Sequence, residues 1–221
     1  MTEVIFFITD TEETKSSLVD YQMNTVSIVN ATPKWRKETV EVPFSDGVLD
    51  ISEAYTGYVV YEPREIECAF TIRVISHADY ENKISAIRND LDGADIQLST
   101  SDEPGYYFSG RVSVESAYDT EEIDQEIIIS MEAYPYKYKA AETVIESEIT
   151  DEGYITCPNE RMPVIPRINT DALVTVLFND TSVALPVGET LVSSFLFMKG
   201  DNVIRVTGSA NITVTYQEGS L

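Results

Sequence analysis

Side chains able to do chemistry are few and scattered in this sequence. The chain has a single histidine, His77, and two cysteines, Cys68 and Cys157, with no Cys-x-x-Cys pair. A zinc site or a nucleophilic triad needs several such side chains in a characteristic context, and no Gly-x-Ser-x-Gly turn is present. We therefore predict no catalytic, metal-binding or cofactor-binding residue, no cofactor, and a protein that is not an enzyme.

The two cysteines have a simpler interpretation. Cys68 lies on the apolar side of an alternating segment, which is typical of a buried, inert thiol. A disulfide between Cys68 and Cys157 is the alternative that the sequence leaves open.

A cluster of acids between Tyr118 and Gln125 raises the possibility of a calcium site. It contains Asp119, Glu121, Glu122 and Asp124. The spacing does not fit an EF-hand loop, which also needs a central glycine and a terminal glutamate. We interpret this segment as a solvated hairpin tip, and the abundance of acids elsewhere makes any single carboxylate pair uninformative about hydrolysis.

One further segment, residues 134–139, interleaves tyrosines with lysines, a pattern that could stack on single-stranded nucleic acid. The chain carries 38 acidic and 15 basic residues, for a net charge of −23. Such a surface repels phosphates, so we interpret the segment as a packed inter-domain linker and predict no specific DNA binding.

The elements that would position these groups are mostly strands. The clearest is in residues 61–75, where apolar side chains alternate with mostly polar ones from Ile66 to Val74. Before it, a short strand is predicted from Thr39 to Val42, and the turn Ser45-Asp46-Gly47 joins it to a second, apolar segment from Val48 to Ile51. Residues 4–8 predict an N-terminal strand, and residues 10–13 an acidic loop.

One amphipathic helix is predicted, because four apolar residues repeat at spacings of four, three and four: Tyr80, Ile84, Ile87 and Leu91. Asp79 is the predicted N-cap, and Gly93 stands where a left-handed residue would end the helix. A single helix among strands is expected to pack across a sheet.

The remaining strands of the first part follow turn signals. We predict an edge strand or extended arm within residues 18–29, and a loop in residues 52–60. A hairpin is predicted in which residues 102–107 connect strands 94–100 and 111–117, with Tyr106 and Tyr107 opening the return strand. A central strand follows at 126–134, which Pro135 ends because proline cannot donate to a ladder.

The second part has only short strand candidates separated by turn residues, which favours a β-sandwich. They are residues 143–149, 153–157, 164–169, 173–178, 181–185, 193–198, 203–207 and 211–216. The predicted fold class is mostly β: an N-terminal β-sandwich carrying one α-helix, residues 1–140, and a C-terminal β-sandwich, residues 141–221.

Neither targeting nor membrane segments are predicted. The N-terminus begins Met-Thr-Glu-Val-Ile-Phe-Phe-Ile, with an apolar run too short for a signal peptide. No segment approaches the ~18 apolar residues of a membrane helix, so we expect no membrane insertion.

Four segments of the first part, taken together, resemble the distal tail proteins of long-tailed bacteriophages. They are Val-Glu-Val-Pro-(x)3-Gly-Val-Leu-Asp at 40–50, Tyr-Glu-Pro-Arg-Glu-Ile at 61–66, Asp-Glu-Pro-Gly-Tyr-Tyr-(x)2-Gly-Arg at 102–111 and Tyr-Pro-Tyr-Lys-Tyr at 134–138. The resemblance covers most of residues 1–140. In the second part, residues 200–206 and 211–216 are similar to the galectin-like second domain of the same family.

The resemblance implies a structural protein of a phage or prophage. It implies a homo-hexameric hub ring at the virion tail tip, made in the host cytoplasm, whose N-terminal domains enclose a channel through which DNA passes without specific binding. The implied partners are the tail tube protein, a tail-associated lysin or fibre protein, and a receptor-binding protein for host adsorption. The alternatives are a host-surface carbohydrate-binding module in the second domain, and a tail tube or baseplate component of a related particle.

Overall fold

The computed structural model describes residues 2–44 and 46–221, which form two compact units. The first ends at Pro135 and the second runs from Tyr136 to Leu221. Strands make up 53% of the structure and helix 7%, so the predicted mostly β class with one helix is confirmed. Ser45, the first residue of the predicted turn, lies outside the described residues. In the part of the chain that is described, no helix is long and apolar enough to cross a membrane.

The first unit contains nine strands and the helix. They are β1 Val4–Ile8, β2 Glu13–Ser16, β3 Met23–Asn30, β4 Thr39–Glu41, β5 Val48–Asp50, β6 Arg64–Arg73, α1 His77–Leu91, β7 Asp95–Thr100, β8 Tyr106–Ser116 and β9 Asp124–Ala133. The acidic loop predicted at residues 10–13 continues directly into β2, a strand that the sequence pattern did not indicate.

Seven of these strands form one antiparallel sheet in the order β2-β1-β7-β8-β9-β6-β3. Side chains alternate along each long strand, and one face supplies the core: Phe70 and Ile72 of β6, for example, are fully buried. The buried residues of α1 belong to the same hydrophobic cluster. The predicted central strand at 126–134 is confirmed as β9, which pairs with β6 and β8.

The helix buries the four residues that the spacing indicated. Its N-cap, however, is Ser76 and not Asp79, so that prediction was wrong. Ser76 has an extended backbone, and its hydroxyl accepts a hydrogen bond from the Asp79 backbone N–H at 3.2 Å. Asp79 instead lies in the first turn, where its carboxylate accepts from the Ile75 backbone N–H at 3.1 Å. Serine and aspartate are both preferred N-cap residues, which is why the two positions look alike in sequence.

The predicted helix stop is confirmed at Gly93, which has φ +78°. Its N–H donates to the Val112 carbonyl at 2.9 Å, and its carbonyl accepts from the Arg111 guanidinium at 2.7 Å. These bonds tie the end of α1 to β8.

The second unit is a sandwich of two four-stranded antiparallel sheets, ordered β11-β18-β13-β16 and β12-β17-β14-β15. A single cluster of buried side chains lies between the sheets. The strands are β10 Lys137–Lys139, β11 Thr143–Ile149, β12 Glu152–Asn159, β13 Arg167–Thr170, β14 Val174–Phe178, β15 Thr181–Leu185, β16 Gly188–Leu191, β17 Gly200–Thr207, β18 Ala210–Tyr216 and β19 Gly219–Ser220.

Two strand predictions in this unit need correction. Residues 193–198 are not a strand: Phe195 and Phe197 are buried in the core, and a single bridge joins Phe197 to Val164. The edge strand β16 lies earlier, at Gly188–Leu191, and was not predicted. Residues 164–169 become strand only from Arg167.

The segment interpreted as a linker contains β10, which pairs with β19 near the C-terminus. A buried carboxylate, Glu218, holds this region together. It accepts hydrogen bonds from the Lys139 ammonium at 2.7 Å, from the Thr143 hydroxyl, and from the Glu160 backbone N–H at 2.9 Å. Burial opposes ionisation of Glu218, but these bonds outweigh it and lower the pKa of the carboxyl.

Candidate functional site

The β4–β5 hairpin is the most exposed structured element of the first unit. All six of its strand residues are exposed, including Leu49 at 56%, and within the described residues it pairs with no other strand. Phe44, at the tip, is fully exposed and has φ +64°, a strained conformation for a bulky residue. Isolated hairpins are marginally stable in water, and exposed apolar groups of this kind mark interaction surfaces.

Two hydrogen bonds, one of them to the Ser52 side chain, close the root of the hairpin. The Ile51 N–H donates to the Glu38 carbonyl at 2.9 Å, and the Glu38 N–H donates to the Ser52 hydroxyl at 2.8 Å. Three bases, Lys34, Arg36 and Lys37, precede this root within four residues of sequence. The hairpin therefore combines an apolar tip with a basic approach segment, in a chain of net charge −23.

A second exposed feature is the sheet edge formed by β3. The strand pairs with β6 on one side and ends the sheet order, which confirms the predicted edge strand within residues 18–29. Val26 and Val29 are 62% and 56% exposed. An edge strand presents N–H and C=O groups that another chain can pair with. A register shift between Thr25 and Ser27 marks a bulge in this edge.

The outer face of the same sheet is acidic. Glu65 and Glu67 of β6, Glu132 and Glu126 of β9 and Glu115 of β8 are all exposed and alternate with core residues. Glu65 lies directly opposite Glu132 in the β6–β9 register, and a like-charge pair in that arrangement destabilises a sheet. Arg111 of β8 lies opposite Glu132 on its other side.

The cysteines and the histidine that the sequence singled out each lie in separate local surroundings within their own unit. Cys68 and Cys157 are both buried free thiols, Cys68 in the first unit and Cys157 in the second, so the disulfide alternative is wrong. Burial raises the pKa of each thiol to about 12, as expected for inert cysteines. His77 is exposed at the start of α1, where its ring lies against Tyr118 with centroids 4.5 Å apart.

The acidic segment at 118–125 is a loop up to Ile123 and then enters β9, and the side chain of Gln125 organises the loop. The Gln125 side-chain amide donates to the carbonyls of Asp119 and Glu122 and accepts from the Asp119 N–H at 2.7 Å. Among the described residues, no group of His, Cys, Asp or Glu side chains is arranged to hold a metal ion.

Comparison with known proteins gives a family for this chain. Residues 12–132, more than half of the sequence, match the model of the phage tail protein RIFT-related domain. The chain belongs to this family. The protein is accordingly a structural component of a phage tail.

A solved structure is similar over the whole phage tail chain. It is the SPP1 Dit protein, presented as a paradigm of the hub adsorption apparatus of phages that infect Gram-positive bacteria. The TM-score is 0.72 with 14% sequence identity, and the match covers 100% of both chains. At that identity the likeness establishes a common fold, and it agrees with the predicted β-sandwich class. No curated protein matches the sequence.

The hairpin, the β3 edge and the acidic face all lie within or at the end of the residues that match the family model. The hairpin strands were predicted, but their exposure was not, because short apolar segments usually indicate strands packed on their own core. The cluster of bases at 34–37, unusual in so acidic a chain, is the signal that could have revealed it.

Proposed function

We propose that this phage tail protein is a distal tail hub that forms a homo-hexameric ring at the tail tip. The observation that carries the proposal is the family match over residues 12–132, in the same unit that bears two unpaired surfaces suited to self-assembly. In this proposal residues 1–140 form the ring, and residues 141–221 form a galectin-like sandwich whose likeness concerns shape and not lectin activity.

The ring contacts are assigned to the β4–β5 hairpin and the β3 edge of neighbouring copies. Different patches on the two partners make a heterologous contact, and such contacts close into rings when the rotation allows. The exposed apolar residues of the hairpin supply area to bury. Its basic approach segment, Lys34 to Lys37, is complementary to a neighbour of net charge −23.

The acidic outer face of the sheet is proposed to line the central channel. A conduit for DNA needs a wall that repels phosphates, and Glu65, Glu67 and Glu132 supply one. A like-charge pair such as Glu65–Glu132 is unfavourable in a sheet, and a role in the channel would account for its presence.

The ring would join the tail tube to a tail-associated lysin or fibre protein and support a receptor-binding protein, without catalysis of its own. The two alternatives, a carbohydrate-binding module in the second unit and a tube or baseplate component, stay predictions. A tube component would stack many copies, whereas a hub would form one ring.

The first test is the mass of the purified chain by light scattering over a range of concentrations. We expect a discrete hexamer, and Val26→Lys with Val29→Lys should shift it toward monomer by placing charges on the β3 edge. Deleting residues 18–29 would be a poorer test, because it also removes Met23, which is fully buried in the core. A hexamer that is unchanged by the two lysines would show that β3 makes no ring contact.

The channel assignment has its own matched pair of variants. Glu65→Lys with Glu67→Lys on β6, and Glu146→Lys with Glu148→Lys on β11, each change the net charge from −23 to −19. Rings of the β6 variant should retain duplex DNA at low salt, whereas the β11 variant and the unmodified protein should not. Equal retention by the two variants would refute the assignment.

A further inference from the structure

A cleft beside the hairpin root has the composition of a ligand site. Its volume is about 490 Å³, and it is lined by Trp35, Asp50, Ser52, Glu53, Val59 and Tyr61. That volume lies within the range of about 300–1,000 Å³ found for small-molecule sites. The cleft shares Asp50 with the hairpin and Trp35 with the approach segment of the proposed ring contact, but the ring proposal gives no role to the cleft itself.

The two aromatic residues are held as a pair by the backbone. Trp35 and Tyr61 face each other in an isolated antiparallel bridge. The flanking bonds run from the Arg36 N–H to the Val60 carbonyl at 2.8 Å and from the Glu62 N–H to the Lys34 carbonyl at 2.7 Å. Residues opposite each other in such a pair project their side chains to the same side. Trp35 is 47% exposed, so its ring offers an open surface.

The polar rim is also preorganised. The Asp50 carboxylate accepts two hydrogen bonds from Ser52, from its N–H at 2.9 Å and its hydroxyl at 2.6 Å. These bonds, with a smaller contribution from the charge of Lys37, lower the pKa of Asp50, so the carboxylate is ionised and accepts hydrogen bonds. Glu53, which is exposed, supplies a second carboxylate.

The charges around the cleft favour a neutral ligand. Asp50 and Glu53 repel anions. A cation would compete with the ammonium of Lys37, which lies 6.0 Å from the centroid of the Trp35 ring. Hydroxyl groups, in contrast, can donate to both carboxylates while an apolar C–H face packs on the indole.

We propose that the cleft formed by Trp35, Tyr61, Asp50 and Glu53 binds a neutral saccharide. The site lies in the first unit, and not in the second unit where a carbohydrate-binding alternative was predicted from sequence. The proposal does not depend on the ring, because every residue of the cleft comes from one chain.

The chain carries its own reporter for this site. Trp35 is the sole tryptophan among 221 residues, so all tryptophan fluorescence comes from the cleft. Glucose, galactose and N-acetylglucosamine serve as neutral probes, with arginine methyl ester as the cationic probe and glycerol phosphate as the anionic one. We expect a saturable change with at least one of the three sugars, with a Kd on the order of 1 mM.

Two carboxylate variants identify the site as the place of binding. Glu53→Gln should weaken the sugar response by about tenfold, because a hydrogen bond to a charged acceptor is replaced by a neutral one. Asp50→Asn is the second variant, and Glu115→Gln, an exposed glutamate outside the cleft, is the matched control and should bind as the unmodified chain does. No saturable change with any sugar, or a response to the charged probes alone, would overturn the proposal. A sugar response equally strong in both cleft variants would overturn it too.

Discussion

Replacing the apolar residues of the β4–β5 hairpin should weaken the ring without weakening the fold. The variant is Phe44→Asn with Leu49→Thr. Asparagine tolerates the positive φ of position 44 better than phenylalanine does, and threonine keeps the strand preference of position 49. Both side chains are exposed in the single chain, so folding stability should change by less than about 0.5 kcal/mol.

The expected loss of binding free energy at the interface follows from the exposed fractions of the two side chains. Complete burial of a leucine or phenylalanine contributes about 1.5–3 kcal/mol. Leu49 is 56% exposed, so covering it contributes roughly 1 kcal/mol, and Phe44, which is fully exposed, contributes roughly 2 kcal/mol. The sum of about 3 kcal/mol per interface corresponds to an affinity loss of roughly 100-fold.

Light scattering of a dilution series measures this loss as a rise in the concentration at which the ring dissociates. Leu173→Thr is the matched control, because Leu173 is 72% exposed but lies in the second unit. Thermal unfolding of each variant checks that the fold is kept. A dissociation midpoint within about threefold of the unmodified protein would refute the assignment of the hairpin to the ring, and a control that dissociates as readily would show the effect to be unspecific.

Three further predictions concern the folded chain. Gly110→Ala should destabilise the first unit by more than about 3 kcal/mol in urea unfolding, because a Cβ would lie 2.2 Å from the backbone oxygen of Glu132; Gly105→Ala, with open space around it, should be nearly neutral. Since the folded pKa of Glu218 is lowered from 4.5, its stabilisation should be complete above pH 4.5 and decline as the pH falls through the folded pKa; Glu218→Gln should remove this dependence in acid unfolding. Cys68 and Cys157 should resist a thiol reagent at neutral pH until the protein is unfolded; rapid reaction of the native chain would contradict their burial.

The parts of the fold that could be predicted from sequence are those in which local pattern and tertiary burial agree. The alternation at residues 66–74 predicted β6, and the apolar spacing predicted the buried face of α1. The N-cap was placed three residues late because both Ser76 and Asp79 can accept hydrogen bonds from free N–H groups. What decides between them is the extended backbone of Ser76, which no composition rule specifies.

Two kinds of segment could not be predicted correctly: a buried segment without regular strand pairing, and short strands that pair over a long distance in sequence. Residues 193–198 contain a short apolar run typical of a buried strand, yet Phe195 and Phe197 enter the sandwich core from an irregular segment. The short strands β10 and β19 pair with each other from opposite ends of the second unit, and a two-residue strand such as Gly219–Ser220 carries no periodicity to detect. Long-range pairing of this kind depends on the completed fold.

The exposure of the β4–β5 hairpin could not be predicted from sequence for a different reason. The exposure of Val40, Val48 and Leu49 could not be predicted, because apolar residues in a short strand form the same pattern whether they pack on a partner or on their own sheet. The structure separates the two cases, since these side chains are exposed and their hairpin pairs with no other described strand. An apolar hairpin that its own chain does not cover lowers solubility unless a partner covers it. In the proposed ring, a second copy of this acidic chain would cover the apolar hairpin and would face the basic segment at its root.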